Sequence, residues 1–193
     1  MQAPAQAAPD KAVFLDRDGP IIEDRGHLAD PADVRVYPGA PAALRSLQVR
    51  YRLFIVTHQV GIARGILTAE DVARVNRHLV EALAEQGVAI TEVYCCPHER
   101  DAGCICIKPK PHVLLRAADA YGLDLTQCYS VGDHPPDVDL GRNAGGQGLY
   151  VLTGHGIRHV RELRPGTLVF ADLVAAARWI LSRHADAGAA ASA

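Results

Sequence analysis

Short apolar runs alternate along this chain with longer stretches in which apolar residues recur every three or four positions. Ala12 to Leu15, Leu53 to Thr57, Ile90 to Tyr94, Cys128 to Val131 and Leu149 to Leu152 each fit a buried strand. Thr68 to Gln86 carries Val72, Val75, Leu79 and Leu83 at helical spacing, with Thr68 and Asp71 placed to cap its start and Gly87 to stop it. Pro41 to Arg50, Pro111 to Tyr121, Pro136 to Ala144 and Asp172 to His184 predict further helices, three of them opening on proline, which suits a first turn. The alternation predicts an α/β fold, a Rossmann-like parallel sheet with helices on both faces. Gly141 to Gly148 follows a helix and precedes a strand, the reverse of a dinucleotide fingerprint, and reads as a helix stop and turn.

In such folds the site lies at the carboxyl ends of the strands. There the sequence places Asp16-Arg17-Asp18-Gly19 after the first strand, Thr57-His58-Gln59 after the second and Gly132-Asp133 after the fourth, with Asp137 close behind. Lys108 sits just before the third major helix. Crowded carboxylates repel, and a hard divalent cation with oxygen ligands, most simply Mg²⁺, compensates them. A phosphate dianion could bind opposite that cation, with Lys108 and Thr57 stabilising its remaining oxygens. With a reference pKa of about 3.9, Asp16 needs no base to activate it as a nucleophile toward phosphorus. Asp18, leaning to the same side of an extended segment, could protonate the leaving alkoxide and recover the proton from the hydrolytic water. An Asp-x-Asp pair alone fits a calcium-like loop or a solvated acidic turn equally well. The Thr, the Lys and the Gly-Asp that follow in order favour phosphoryl chemistry.

The 193 residues, 49% of them apolar, suffice for one domain, expected over 11–186 between small-residue tails at 1–10 and 187–193 that are expected to be disordered. No apolar run approaches the about 20 residues a spanning helix needs, and the N-terminus has neither the basic start nor the apolar stretch of a secretory signal. A cytoplasmic protein with no membrane partner is expected. A net charge of −2 provides no field for nucleic acid. The five cysteines are then unsuited to a disulfide framework. Four of them fall in Cys95 to Cys106, and Cys96, His98, Cys104 and Cys106 supply three thiolates and one imidazole, a closed set that suits structural Zn²⁺. Buried small hydrophobes are the alternative, but a loop rich in Pro, His, Glu, Arg, Asp and Gly is a poor place for them. The zinc loop, 95–107, ends next to Lys108, so fixing it would also fix the lysine. Cys95 reads as a continuation of the strand and Cys128 as a core residue.

FLDRDG, IVTHQ, the lysine of IKPKP and VGDHPPD resemble, in order, the four motifs of the haloacid dehalogenase superfamily of phosphohydrolases, over roughly Ala12 to Leu152. The resemblance implies a phosphatase that passes through an aspartyl-phosphate at Asp16, with Asp18 as general acid and base. It implies Mg²⁺ on Asp16, the Asp18 backbone carbonyl and Asp133, Thr57 and Lys108 on the phosphoryl group, and Asp137 as a supporting residue. Neither the zinc loop nor Asp18 to Leu53 is long enough for a cap domain, so the cleft should be covered mainly by Asp24 to His27 and the zinc loop.

A capless core with this loop resembles two families, the D-glycero-D-manno-heptose 1,7-bisphosphate 7-phosphatases and the histidinol-phosphate phosphatases, with GIARG closer to the first. The heptose resemblance implies a role in nucleotide-activated heptose biosynthesis and substrate contacts at Asp24, Arg25, Gly26, His27, Thr57, His58, Gln59, Val60, Lys108 and His134. Pro20, His58, Val60, Ile107 and His134 depart from the family pattern. Ile107 stands where an arginine usually clamps a second phosphate, and His134 where a lysine is usual, which removes two fixed cations. The sequence therefore leaves open histidinol phosphate or another small monoester and, from a different class, a catalytically weak binding module. His155, His159 and His184 lack metal-ligand spacing and read as solvated, as does Arg158 to Arg164; Trp179 is expected at the edge of the core or against a partner. The chain is expected to be a monomer whose partner is a phosphorylated small molecule.

Overall fold

The computed structural model describes residues 10–190, with side chains as far as residue 183. The expected tails at 1–9 and 191–193 and the side chain of His184 lie outside the described residues. Among the described residues, six strands form one wholly parallel sheet: β1 (Ala12–Leu15), β2 (Arg52–His58), β3 (Ile90–Cys96), β4 (Tyr129–Gly132), β5 (Gln147–Val151) and β6 (Leu168–Phe170), in the order β3-β2-β1-β4-β5-β6. The helices are α1 (Ala40–Gln48), α2 (Ala69–Glu85), α3 (His112–Tyr121), α4 (Pro135–Asn143), the short α5 (Gly156–His159) and α6 (Leu173–Ala190). This is the expected α/β architecture, with one strand more than predicted. β6 has three residues, none of them buried, so it carries no apolar period to detect. α6 runs past its expected end at His184 and into the expected tail.

All four residues of β1 are fully buried because helices cover both faces. Val13 and Leu15 pack with Leu53, Ile55 and residues of α1, α2 and α6, while Ala12 and Phe14 pack with Phe54, Val56 and residues of α3 and α4. Each large side chain in these layers contributes about 1.5–3 kcal/mol relative to exposure, so burial fixes a strand too short to be fixed by its ladder alone. Phe14 stacks on Phe54 with ring centroids 4.9 Å apart. α2 starts in the expected capping box, Thr68 Oγ1 accepting the Asp71 N–H at 3.0 Å and Asp71 Oδ2 accepting the Thr68 N–H at 2.9 Å. Trp179 sits at the edge of the core, edge-on to Tyr129 at 6.2 Å.

The packing of α4 on β5 leaves no room at Gly148, where a Cβ would run into the backbone carbonyl of Val138. Gly148→Ala is expected to cost about 2–3 kcal/mol, read as a lower urea midpoint at unchanged slope. An unchanged midpoint would mean that α4 can shift outward without penalty.

From β1 the chain moves outward to β2 and β3, then crosses to β4, β5 and β6 on the other side. The loops after β1 and β4 consequently diverge and open a crevice at the carboxyl edge of the sheet.

Candidate active site

Asp16 leaves β1 with its backbone N–H donated to the Val131 carbonyl at 2.9 Å, which ties the β1 loop to β4. Lys108 reaches the same point from beyond the cysteine loop. Its Nζ lies 3.1 Å from Asp16 Oδ1, 2.6 Å from Asp137 Oδ1 and 3.0 Å from the Val56 carbonyl. Asp137, in the first turn of α4, also accepts the His134 N–H at 3.0 Å. Asp133 is fully buried. Its Oδ1 is 2.9 Å from His134 Nδ1, and its Oδ2 accepts the His155 N–H at 2.7 Å. Gly19, at φ +99°, turns the β1 loop so closely over the Asp133 carboxylate that a Cβ there would collide with it.

Asp18 is held by two donors, Arg17, to which the sequence assigned no role, and Gln59, expected as a substrate contact. Arg17, fully buried, donates Nε and Nη2 to its two oxygens at 3.0 and 3.1 Å, and Nη1 to Asn76 Oδ1 on α2 at 2.8 Å. Gln59 Nε2 donates to Asp18 Oδ2 at 3.0 Å and to Thr57 Oγ1 at 2.8 Å. The two acids face one cleft from a fixed geometry.

Burial pushes the Asp16 carboxyl up to about 8, with the Asp137, Asp133 and Asp18 carboxylates adding to the effect and Lys108 opposing it. Burial likewise raises Asp18, against the Arg17 guanidinium. For Lys108, burial works against the charge, but Asp137 and Asp16 outweigh it and hold the ammonium well above its ordinary range. The cluster thus carries more negative charge than its one ammonium offsets. Three of its carboxylates, Asp16, Asp133 and Asp137, offer the oxygens a hard divalent cation prefers. The potential ligand atoms of Asp16, Asp133, His134 and Asp137 lie within 4.8 Å of one another. Asp137 is engaged by Lys108.

The cleft above this floor has a volume of about 280 Å³. Asp24, Gly26 and His27 line one side, His58, Gln59 and Val60 another, and His134 the β4 side. Thr57 lies beneath, 2% exposed, with its hydroxyl turned to Gln59. Arg25 is turned away, its guanidinium 3.5 Å from the Asp33 carbonyl, because the Asp24 to Gly26 turn directs successive side chains apart. Four lining residues were not anticipated: Arg64, Arg100, Pro136 and His155. The expectation that His155 and His159 are merely solvated is corrected. The turn after β5 folds back over Asp133, so His155 enters the cleft with Nδ1 3.4 Å from Asp24 Oδ2, and the His159 ring lies 4.8 Å from that of His134. No local spacing reports such a return. Ile107 is buried and takes no part in lining the cleft.

The four positions expected to bind zinc converge. The three sulfur atoms are 3.3–3.7 Å apart, and His98 Nδ1 is 3.3 Å from Cys106 Sγ and 3.8 Å from Cys96 Sγ. A tetrahedron with metal–sulfur bonds of about 2.3 Å has edges of about 3.8 Å. All five cysteines are free thiols.

A HAD-hydrolase-like family matches residues 105–176. A D-glycero-beta-D-manno-heptose-1,7-bisphosphate 7-phosphatase of Pseudomonas aeruginosa is 36% identical over 172 residues, 88% of this chain and 97% of that one. This chain belongs to the heptose-bisphosphate phosphatase family. A family member of Campylobacter jejuni, named for the alpha substrate, is 38% identical over 135 residues, 69% of this chain and 77% of that one. The crystal structure of the D,D-heptose 1,7-bisphosphate phosphatase of B. bronchiseptica, complexed with magnesium and phosphate, matches with a TM-score of 0.82 and 32% identity, covering 90% of this chain and 99% of that one. As a member of the heptose-bisphosphate phosphatase family, the chain is a phosphoric monoester hydrolase on the HAD fold, as the four motifs implied. No helix among the described residues is long and apolar enough to cross a membrane.

Proposed function

We propose that this phosphatase removes the C7 phosphate of D-glycero-D-manno-heptose 1,7-bisphosphate, with Asp16 as nucleophile and Asp18 as general acid and base, in the formation of nucleotide-activated heptose. The observation that carries the reading is Asp16 held 3.1 Å from Lys108 at the floor of the cleft, in a chain matched nearly end to end by relatives named for that reaction. Mg²⁺, held by Asp16, Asp133 and the Asp18 backbone carbonyl, would polarise the phosphoryl group and offset the carboxylate charge. Lys108 pairs with a phosphoryl oxygen and favours the ionised form of Asp16 against its burial. Asp18, whose burial favours the protonated form, gives its proton to the leaving oxygen and then takes one from the water that hydrolyses the aspartyl-phosphate. Arg17 and Gln59 position it for both steps. Cys96, His98, Cys104 and Cys106 would hold a structural Zn²⁺ that fixes the loop leading to Lys108.

Measuring kcat/KM for heptose 1,7-bisphosphate and histidinol phosphate with Mg²⁺ tests the substrate. The bisphosphate is expected to be preferred at least tenfold, about the discrimination one charged contact supplies. A tenfold preference for histidinol phosphate would replace the heptose reading, and no turnover of any phosphomonoester would replace catalysis with binding.

A further inference from the structure

The His98 to Arg100 stretch of the cysteine loop is tied at two points, to the last residue of β2 and to the turn that follows it. His58 Nε2 lies 2.7 Å from the His98 carbonyl oxygen, and Arg64 makes a two-point pair with Glu99 at 2.7 and 3.1 Å. Those ties hold Arg100 at the cleft, where the lysines and arginines lining it are Lys108, Arg64 and Arg100. Lys108 is committed to Asp16 and Asp137, and Arg64 to Glu99. Among the described residues, the Arg100 guanidinium has neither an ion pair nor a side-chain hydrogen bond, and it is exposed to solvent.

We propose that Arg100 pairs with a second phosphate on the substrate, remote from the one hydrolysed, and so sets a preference for bisphosphates. This rests on the substrate reading above. A guanidinium matches a phosphate with two parallel N–H donors. Arg100 gives up no partner to do so, and the backbone carrying it is already braced, so little ordering opposes the contact.

The test compares kcat/KM for heptose 1,7-bisphosphate and heptose 7-phosphate in the wild type, Arg100→Ala and Arg100→Lys. The exchange to alanine should lower the bisphosphate value about 10–100-fold, mainly through KM, and leave the monophosphate within about threefold. Lysine should give an intermediate value, since charge survives but the fork does not. A wild type that prefers the heptose bisphosphate equally well in Arg100→Ala would overturn the role of Arg100 while keeping the substrate. A wild type inactive on both heptose phosphates, yet showing Arg100-dependent preference for fructose 1,6-bisphosphate over fructose 1-phosphate, would sink the heptose reading and retain Arg100. Equal losses on mono- and bisphosphates would reduce Arg100 to shaping the loop.

Discussion

Asp16→Asn is expected to abolish phosphate release, by about 10⁴-fold or more in kcat, in a protein that remains folded. The amide keeps the shape of the carboxylate but cannot attack phosphorus, and it offers a divalent cation one neutral oxygen in place of a charged one. Stability should change in the opposite direction. Burial raises the Asp16 pKa, the Asp137, Asp133 and Asp18 carboxylates add to the effect, and only Lys108 opposes them. Removing the Asp16 charge relieves the cost of burying it together with the repulsion, which outweigh the attraction to Lys108, so without divalent cations the variant should melt no lower than the wild type. Phosphate release with Mg²⁺ and thermal melting in a chelator check the two halves. Retention of more than about 1% of kcat would mean that water attacks directly or that another group is the nucleophile. A variant that melts well below the wild type would mean that the Asp16–Lys108 pair holds the loops together more than the carboxylate cluster drives them apart.

The parts of the molecule that were legible in the sequence are those whose physics is local. Five strands announced themselves as apolar runs because both faces of the sheet are covered. Thr68 and Asp71 marked the start of α2 because a capping box is written within four residues. Asp16, Asp18, Lys108, Asp133 and Asp137 were legible as a cluster because a parallel sheet collects the residues that follow its strands at one edge. What escaped depended on contacts far apart in the chain. β6 pairs with β5 through three residues without a buried stripe. His155 enters the cleft only because the turn after β5 returns over Asp133. Arg17 reads as a charged residue between two acids, whereas the fold buries it completely against Asp18 and Asn76. Arg25 stood next to lining residues and was expected among them, but a turn sends it to Asp33.

Removing the cysteine-loop metal should have the second large effect, on catalysis more than on the fold. Protein purified without chelator is expected to carry about one equivalent of zinc, and Cys104→Ser with Cys106→Ser to carry none. The sheet should survive, because none of the four ligand positions except Cys96 belongs to a strand. The loop should not, since without metal its thiols face one another and burial pushes Cys96 up to about 12, which leaves it a protonated thiol with no charged partner. Because metal must displace those protons, zinc should be lost progressively as the pH falls. The loop leads directly into Lys108, whose Nζ must stay within reach of Asp16 at 3.1 Å. It also carries Glu99, which braces Arg64. Freeing it should therefore lower kcat/KM by about 10–100-fold, the usual cost of disturbing the support of a site, with near-native far-UV circular dichroism and faster amide exchange confined to residues 96–108. Less than half an equivalent of zinc in fresh protein would count against the site. So would a double variant with wild-type kcat/KM and unchanged exchange in the loop, because Lys108 would then be held by Asp16 and Asp137 alone.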